Sequence, residues 1–510
     1  MDEVRARTFR AIAACVVIAC AGCDGAAPSS DAGTNRDGGG TRLDGGGNSP
    51  DASVGPVDAG PCGNLCSGAT PVCDLATQTC VGCLTDTDCA APTALCEPTA
   101  HACVECVADT DCAAPAALCE PTAHACVECL TDAECADTDR CTIDVCNPDG
   151  SCANTLDGEC ITQIEAGSRN TCVVRAGGAV DCWGANDRGN LGDGTMMEAH
   201  APVRLPGITD AIDVGVGPFH TCVVRATGDV LCVGSSNFGR LGIASPTQIH
   251  YLTFQSVGFT DIVQVGVSRD HSCARHADGT VSCWGLGTFG RLGDNTGMDS
   301  ETPVTAQFLV DAVDLALGGS HACVVNAPGG VSCWGWGTNG QLGSGSMSNS
   351  SRPNPARLIA DATTVAASGS VSCGLRATGQ PMCWGLNSEG QLGLGNTTTP
   401  ITIPMPIVVA EATAIAPGNN HTCALRPSGQ VSCWGNNFSG ELGDGTNMDS
   451  LDPVDVVGLD DAILLDAGET HTCALRSSGT LVCWGNNQSG ELGDGTTDSA
   501  NTPVAVIGIP

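Results

Sequence analysis

Residues 161–510 consist of short apolar segments separated by glycine-rich polar turns, and the pattern recurs seven times at a period of 50 residues, once 51. In the last unit the apolar segments read DAILLDAG, HTCALR, TLVCWG and TPVAV, with a long polar loop before the fourth. Short segments bounded by glycine predict β-strands, and four strands per unit are typical of one propeller blade. The sequence therefore predicts an all-β fold, a seven-bladed β-propeller over residues 161–510. We expect Asn501–Pro510 to close the ring by pairing with the blade that begins at Ile161, which would leave no exposed edge.

Each unit also carries two cysteines with nine residues between them. In the last unit, Ser477, Ser478 and Gly479 can form a three-residue turn with glycine in the left-handed position, which sets Cys473 opposite Cys483. Directly opposed β carbons lie ~5 Å apart, within reach of a disulfide. We therefore expect seven hairpin disulfides: Cys172–Cys182, Cys222–Cys232, Cys273–Cys283, Cys323–Cys333, Cys373–Cys383, Cys423–Cys433 and Cys473–Cys483.

Two other residue types recur at fixed positions of the unit. Tryptophan follows the second cysteine in every unit except the second, which has Val233, and packing between blades is its expected role. Histidine occupies one position in five units: His220, His271, His321, His421 and His471. Five histidines around one axis would suit a metal ion, but valine takes the position in one unit, which favours structural hydrogen bonds instead. We expect no metal in the propeller.

Residues 62–160 form a separate, cysteine-rich repeat region. Two nearly identical units, 83–105 and 106–128, follow one another at a period of 23, with diverged copies on either side. Units this small have no hydrophobic core, so disulfides must fix their shape, in a pairing that the sequence leaves open. The even count of 18 cysteines favours disulfides over two possible zinc sites. Those zinc sites would be Cys96, His101, Cys103 and Cys106, or Cys119, His124, Cys126 and Cys129.

Calcium is the one cofactor that this region suggests, because D-x-D pairs offer carboxylate oxygens. The pairs are Asp86 with Asp88, Asp109 with Asp111, and Asp137 with Asp139. No glycine-containing calcium loop is complete, so we expect solvated acids and no resident cofactor.

The first 22 residues predict an export signal of the lipoprotein type. Arg5, Arg7 and Arg10 precede an apolar run that is shorter than the ~20 residues of a membrane span, and small residues and cysteine follow it. Cys23 is the expected lipidation site because processing there leaves every remaining thiol pairable, and Cys20 is the alternative. Residues 23–61, rich in Gly, Asp, Ser and Pro, predict a disordered linker.

Composition and charge narrow the possible partners. Acidic residues outnumber basic residues 56 to 20, giving a formal charge of −36, and lysine is absent. Phosphate backbones repel such a chain, so we expect no nucleic-acid partner. The 35 cysteines indicate an oxidising compartment. We expect an exported envelope protein, an outer-membrane or cell-surface lipoprotein that contacts the membrane only through its lipid.

The HTCAL-type strand, the CWG strand and the following N-x-x-G-x-L-G segment resemble the repeats of the regulator of chromosome condensation family. The resemblance covers about 350 residues and implies a seven-bladed propeller. The founding activity of that family is guanine-nucleotide exchange on a small nuclear GTPase, with histone and DNA contact. Uniform units without an inserted wedge, in an exported acidic chain, do not imply exchange here.

The expected function is non-enzymatic, with no catalytic residue: a rigid propeller that binds an extracytoplasmic protein through loops that differ among units. Tyr251, Phe254 and Phe259, in the longest unit, are the candidate exposed anchors of a binding loop. Packing within that unit is the alternative for these three side chains.

The second hypothesis is an envelope propeller that binds or cleaves polysaccharide, as a glycosidase or lyase. Glycosidases need two carboxylates facing one pocket. Glu389, Glu441 and Glu491 recur at equivalent positions of the repeat, which favours a structural role for them.

Overall fold

The computed structural model describes residues 72–74, 79–89, 95–100, 102–244, 246–409 and 411–509. These residues form two compact units that divide between Thr155 and Leu156. The predicted signal segment, the lipidation candidates Cys20 and Cys23, and the linker up to residue 61 lie outside the described residues. No helix in the described part of the chain is long and apolar enough to cross a membrane.

The N-terminal unit is built of two-stranded hairpins and single turns of 3-10 helix. Its strands are β1 (Val72–Asp74), β2 (Thr79–Val81), β3 (Leu95–Glu97), β4 (Ala102–Val104), β5 (Leu118–Glu120), β6 (Ala125–Val127), β7 (Thr142–Cys146) and β8 (Cys152–Leu156). Its 3-10 turns span Asp86–Asp88, Asp109–Asp111 and Asp132–Glu134.

Disulfides connect the segments that flank each 3-10 turn to the strands of this unit in a repeating pattern. The pairs are Cys83–Cys96, Cys89–Cys103, Cys106–Cys119, Cys112–Cys126, Cys129–Cys146 and Cys135–Cys152. Each of the two near-identical repeats thus joins its first cysteine to its third and its second to its fourth. These six bonds settle the pairing of twelve of the 18 cysteines, which the sequence left open.

The C-terminal unit contains seven four-stranded antiparallel sheets, the seven blades of a propeller. Blades 1 to 3 consist of β9 (Ile161–Ala166), β10 (Asn170–Arg175), β11 (Val180–Gly184), β12 (Ala199–Arg204); β13 (Ala211–Val216), β14 (His220–Arg225), β15 (Val230–Ser235), β16 (His250–Ser256); and β17 (Ile262–Val267), β18 (His271–His276), β19 (Val281–Gly285), β20 (Ser300–Thr305). Two 3-10 turns, Asn237–Gly239 and Thr288–Gly290, lie in the loops that follow the third strands of blades 2 and 3.

The remaining four blades follow the same plan. They consist of β21 (Ala312–Leu317), β22 (His321–Asn326), β23 (Gly330–Gly335), β24 (Ser350–Pro355); β25 (Ala362–Ser368), β26 (Val371–Arg376), β27 (Pro381–Gly385), β28 (Ile401–Pro406); β29 (Ala414–Pro417), β30 (His421–Leu425), β31 (Val431–Gly435), β32 (Ser450–Asp455); and β33 (Ala462–Ala467), β34 (His471–Arg476), β35 (Leu481–Gly485), β36 (Ala500–Ala505).

Each blade is a meander in which consecutive strands are neighbours. The first strands line the central cavity, so the first strand is innermost and the fourth is outermost. Cys473 pairs with Cys483 in the register that the turn count predicts, and Gly479 adopts a φ of 87° in the turn. In all seven blades the two sulfur atoms are 2.05–2.15 Å apart and the Cα atoms 4.0–4.1 Å apart.

Six fully buried tryptophans hold neighbouring blades together. Each indole Nε1 donates to a backbone carbonyl of the preceding blade at 2.8–3.1 Å. In blade 1, Trp183 donates to Glu491 of blade 7, so the same contact also crosses the junction of the ring. In blade 2, where Val233 replaces tryptophan, the Thr221 hydroxyl donates to the carbonyl of Asn190 at 2.7 Å. These contacts are the inter-blade packing expected from the sequence.

The ring closes differently from the sequence-based expectation. The last strand belongs to the seventh blade, and the first blade already has four strands of its own. Blades 7 and 1 meet side by side: Glu469 N donates to Gly167 O at 3.0 Å, and Ala166 N donates to Asp466 Oδ2 at 2.6 Å. The expectation that Asn501–Pro510 completes the first blade is therefore wrong, because every unit supplies all four strands of its own blade.

Candidate functional site

The meander gives the propeller two faces with different connections. The short turns between first and second strands, and the long loops between third and fourth strands, lie at one end of each blade, the front face. The hairpins between second and third strands, and the segments joining successive blades, lie at the other end, the back face. Since all blades share one topology, each face repeats its own connections seven times.

A central cavity of about 490 Å³ lies inside the ring of first strands. Glu165, Asp213 and Asp466 contribute carboxylates to its lining, and Arg269 and Trp336 line it from the front face. A concave space with charged groups is the usual place to look for a ligand site. The bonds that these groups make decide between a ligand-binding and a structural role.

Carboxylates of the first strands bridge neighbouring blades. The innermost strand of a blade is an edge strand, and its buried N–H groups need acceptors. Asp213 Oδ2 accepts from Val265 N at 2.7 Å, and Asp314 Oδ2 accepts from Val365 N at 3.0 Å, in each case from the next blade. These acids therefore help to fix the blades around the ring.

Burial raises the pKa of Asp466, Glu441 and Glu491, which is the direction that a general acid needs. Burial raises the pKa of Asp466 to about 7, and burial raises the pKa of Glu491 to about 7. Each one accepts a backbone hydrogen bond at 2.6 Å, Asp466 from Ala166 of the adjacent blade and Glu491 from Ser489 of its own loop. Both bonds belong to the frame of the propeller, so a structural role accounts for both carboxyls.

The three glutamates considered for glycan cleavage are not all equivalent. Glu441 and Glu491 occupy the same loop position, and Glu441 accepts from Ser439 N at 2.8 Å. The corresponding residue of blade 5 is Gln391, and Glu389 lies two residues before it. The expectation that Glu389 shares their position is wrong, since the loop aligns on the glycine that follows Glu389.

The five recurring histidines are buried between blades. In four of them, Nε2 lies 2.6–2.9 Å from a hydroxyl of the next blade: His220–Ser272, His321–Ser372, His421–Thr472 and His471–Thr171. His271 differs, because Ala322 takes the place of that hydroxyl and His271 Nδ1 bonds to Ser268 at 2.6 Å. Burial lowers the pKa of all five imidazoles, that of His321 to about 3. This geometry gives the histidines the structural hydrogen bonds that the sequence favoured.

Tyr251, Phe254 and Phe259 are half-buried, so the expectation that they form exposed anchors is wrong. The Tyr251 hydroxyl accepts from Thr247 N at 3.0 Å. Phe254 packs against the hydrophobic core between blades 1 and 2. Phe259 packs against Trp284, with ring centroids 5.9 Å apart. Tyr251 and Phe254 of β16, and Phe259 in the segment after β16, thus serve the packing of the propeller.

In the N-terminal unit the D-x-D carboxylates organise the turns. Asp86 Oδ1 accepts from Cys96 N at 2.9 Å, and Asp88 Oδ2 accepts from Thr85 N at 2.8 Å. Within the described residues, the groups of three or more potential metal ligands that lie close together are all cysteines. The sulfur atoms of those cysteines are already joined in disulfides, which removes the thiolates that zinc would require.

The side chains that stand out on the front face were missed by the sequence reasoning. Phe238, Phe289 and Phe438 are 52%, 46% and 83% exposed. Phe238 and Phe289 occupy one loop position, which is polar in the other five units. A departure from the repeat was therefore the signal that could have identified them.

The fold and its contacts define a disulfide-stabilised propeller whose buried polar groups hold the blades together. The sequence model of the RCC1-like domain matches residues 132–411, and models of the regulator of chromosome condensation (RCC1) repeat match residues 412–441, 463–491 and 428–475. The chain belongs to the RCC1-like domain family, as its repeats suggested. No curated protein matches the chain in sequence.

Two solved structures show the same fold. Human WBSCR16 is 22% identical, with a TM-score of 0.59, over 66% of this chain and 94% of that chain. Prp20p from Saccharomyces cerevisiae is 20% identical, with a TM-score of 0.57, over 67% of this chain and 86% of that chain. Binding to Gsp1p and histones is described for the yeast protein. At these identities the likeness concerns the fold alone.

Proposed function

We propose that this protein is a non-enzymatic binding scaffold of the cell envelope, anchored by a lipid on Cys23 and directed at an extracytoplasmic protein. One observation carries the proposal: the buried polar groups of the propeller serve the frame, whereas the units differ most in their loops. Asp466, Glu491 and the recurring histidines all bond within or between blades. A frame of this kind presents variable loops on a rigid support, as binding propellers do.

The disulfides support export. Fourteen cysteines of the propeller are paired across their hairpins, and six further pairs connect the N-terminal unit. Reducing compartments do not maintain such a set of bonds. The apolar run before Cys23 supplies the route out of the cytoplasm.

The anchor can be tested by labelling producing cells with a palmitate analogue and comparing Cys23→Ser with Cys20→Ser. Label should disappear from Cys23→Ser, and that variant should leave the membrane fraction. Label that survives in Cys23→Ser but not in Cys20→Ser would move the anchor to the alternative cysteine. Unlabelled wild-type protein in the soluble fraction would contradict lipid anchoring.

Binding can be tested by immobilising the oxidised mature chain through its N-terminus and exposing it to envelope and secreted fractions of producing cells. The proposal predicts a protein that is captured saturably and displaced by free oxidised chain. A reduced and alkylated chain is the control, because it should lose the frame and the capture together. Capture of polysaccharide alone, with shortening of the captured chains, would contradict the proposal and favour the glycan-cleaving alternative.

A further inference from the structure

Charge is unevenly divided around the front face. Among the first-to-second-strand turns and the long loops, blades 1–3 carry five arginines and six acidic residues, a formal −1. The same segments of blades 5–7 carry eight acidic residues and no basic residue, a formal −8. The five arginines are Arg169, Arg188, Arg240, Arg269 and Arg291. All basic side chains of these front-face segments therefore lie in blades 1–3, in a chain of net charge −36.

Two phenylalanines in these front-face segments adopt a left-handed backbone. The loops of blades 2 and 3 each contain the sequence Phe-Gly-Arg, with φ of 60° at Phe238 and 68° at Phe289. A non-glycine residue in this region costs about 1 kcal/mol or more. Both rings are about half exposed, so their burial offsets little of this cost. Strained, exposed apolar side chains of this kind are typical of functional surfaces.

The arginines of the two Phe-Gly-Arg motifs differ in whether a carboxylate pairs with their positive charge. Arg240 Nη2 pairs with Asp270 Oδ1 at 2.9 Å. Arg291 has Ser320 where Arg240 has Asp270, and donates to the Ser320 hydroxyl at 3.0 Å. Arg291 is only 7% exposed, and among the described residues neither its Nε nor its Nη1 has a hydrogen-bond partner. The carboxylates of Asp270 and Asp299 act on Arg291 only from beyond 4 Å, so two donors of this buried guanidinium remain unsatisfied and favour a further anion.

A stacked aromatic pair, Phe289 and Trp336, lies on the Phe289 side of this guanidinium. Phe289 stacks on Trp336, with centroids 6.0 Å apart and an interplanar angle of 25°. The Arg291 guanidinium carbon lies 5.5 Å from the centre of the Phe289 ring. Trp336 and Arg269 both line the mouth of the central cavity. A half-exposed Phe289, an exposed Arg269 and a partly buried Trp336 give this edge of the cavity the composition of a protein–protein hot spot.

We propose that Phe238, Arg240, Arg269, Phe289, Arg291 and Trp336, the Arg/Phe sector, form the docking surface for an acidic segment of a partner protein. The segment would offer a carboxylate to Arg291 and, beside it, an aromatic or aliphatic side chain to Phe289 and Trp336. A partner protein fits better than an acidic polysaccharide, because only the protein supplies both the charge and an apolar side chain. The inference rests on the proposed binding function and assigns its face and partner chemistry.

The test uses the full oxidised chain and three probes. The first is a fluorescein-labelled peptide that alternates Asp or Glu with Phe or Leu; the second replaces its Phe and Leu by Ser; the third is labelled polygalacturonate. The first probe should bind with an affinity that falls as salt rises from about 50 to about 500 mM. The second and third should bind at least about tenfold more weakly.

Two variants remove the sector's side chains while preserving the backbone. Phe289→Gly suits a positive φ, and Arg291→Gln reproduces the residue that blades 4 and 5 carry at that position, Gln341 and Gln391. Each should weaken binding of the first probe by about tenfold, the loss expected for one charged hydrogen bond or one buried ring. Phe308→Gly is the matched control: Phe308 also has positive φ and is 77% exposed, but lies in the segment joining blades 3 and 4. The Phe308→Gly variant should bind the first probe with the affinity of the wild-type chain.

Several outcomes would overturn the inference. They are no binding of the first probe by the wild-type chain, equal binding of polygalacturonate, or unchanged affinity in both Phe289→Gly and Arg291→Gln. If these variants still capture the envelope partner of the wild-type chain, the binding function stands and the assignment of its face fails. If no partner is captured at all, the proposed function itself fails.

Discussion

His321 of blade 4 and Ser372 of blade 5 form a polarised hydrogen bond across a blade interface, with Nε2 and Oγ 2.7 Å apart. Ser372 Oγ donates its own proton to the carbonyl of Gln341 at 2.9 Å, so it must accept from His321 Nε2–H. The imidazole is therefore neutral, with its proton on Nε2. Four of the seven interfaces contain a bond of this type.

Ser372→Ala should destabilise the propeller by about 1 kcal/mol, because His321 Nε2–H would be buried without an acceptor. The chain itself contains an interface without this hydroxyl, since Ala322 of blade 4 occupies the position that Ser372 has in blade 5. Guanidinium denaturation of the oxidised chain measures the effect as a lowered midpoint. An unchanged midpoint would mean that this bond contributes nothing to holding the blades.

The melting temperature should fall as pH is lowered below 6.5. Burial lowers the pKa of His271, His321 and His471 to about 3 and that of His421 to about 4. Between these values and 6.5 the unfolded chain binds protons that the folded chain excludes, so stability present above pH 6.5 is lost towards pH 4. Calorimetry from pH 8 to pH 4 measures the slope, and His321→Gln should flatten it. A melting temperature that rises as the pH is lowered from 8 to 4 would contradict the account.

The contribution of Glu491 to stability depends on pH in the opposite sense to that of the histidines. Burial raises its pKa to about 7, so the folded state binds a proton that the unfolded state releases above about pH 4.5. The contribution of Glu491 to stability is therefore present below pH 4.5 and is lost as pH rises through 7. Glu491→Gln, which copies Gln341 and Gln391, should raise the denaturation midpoint at pH 8 and leave it nearly unchanged at pH 5. Equal effects at both pH values would exclude a buried carboxylate as the cause.

Gly493 tests the junction that closes the ring. A β carbon at this glycine would lie 2.7 Å from Nε1 of Trp183, across the junction of blades 7 and 1. Gly493→Ala should therefore destabilise by about 2 kcal/mol or more, through overpacking added to the cost of its φ of 67°. Gly458→Ala is the control, because its φ is 69° but no atom lies within 4 Å of the added carbon. Similar losses in the two variants would show that the junction tolerates the extra carbon.

Much of the fold could be predicted because the same pattern of strands, turns and cysteines is seen in all seven units. The hairpin turn at Gly479 fixed the register of its two strands, and the structure has that register. The route of ring closure could not be predicted in the same way. A closing strand at the end of the chain and a blade complete in itself have the same hydrophobic pattern, and only the pairing of the last strand distinguishes them.

The candidate site was harder to predict, because the sequence does not show whether an aromatic side chain is buried or exposed. Tyr251 and Phe259, in the longest unit, were expected to be anchors, yet Tyr251 lies in β16 and Phe259 in the segment after it, and both pack against the propeller. Phe238 and Phe289 lie at one position of the long loops of blades 2 and 3 and are about half exposed. Their left-handed backbone and the two unsatisfied donors of Arg291 beside Phe289 can be seen only in the three-dimensional structure.

Disulfide mapping of protein recovered from its producing cells tests the central claim most directly. The cells would be lysed into a thiol-alkylating reagent, fractionated, and the protein digested without reduction for mass spectrometry. The account predicts seven linked peptides of the type Cys172–Cys182, unalkylated, in the membrane fraction. Protein recovered from the cytoplasmic fraction with these cysteines alkylated would contradict an exported, disulfide-stabilised binding scaffold.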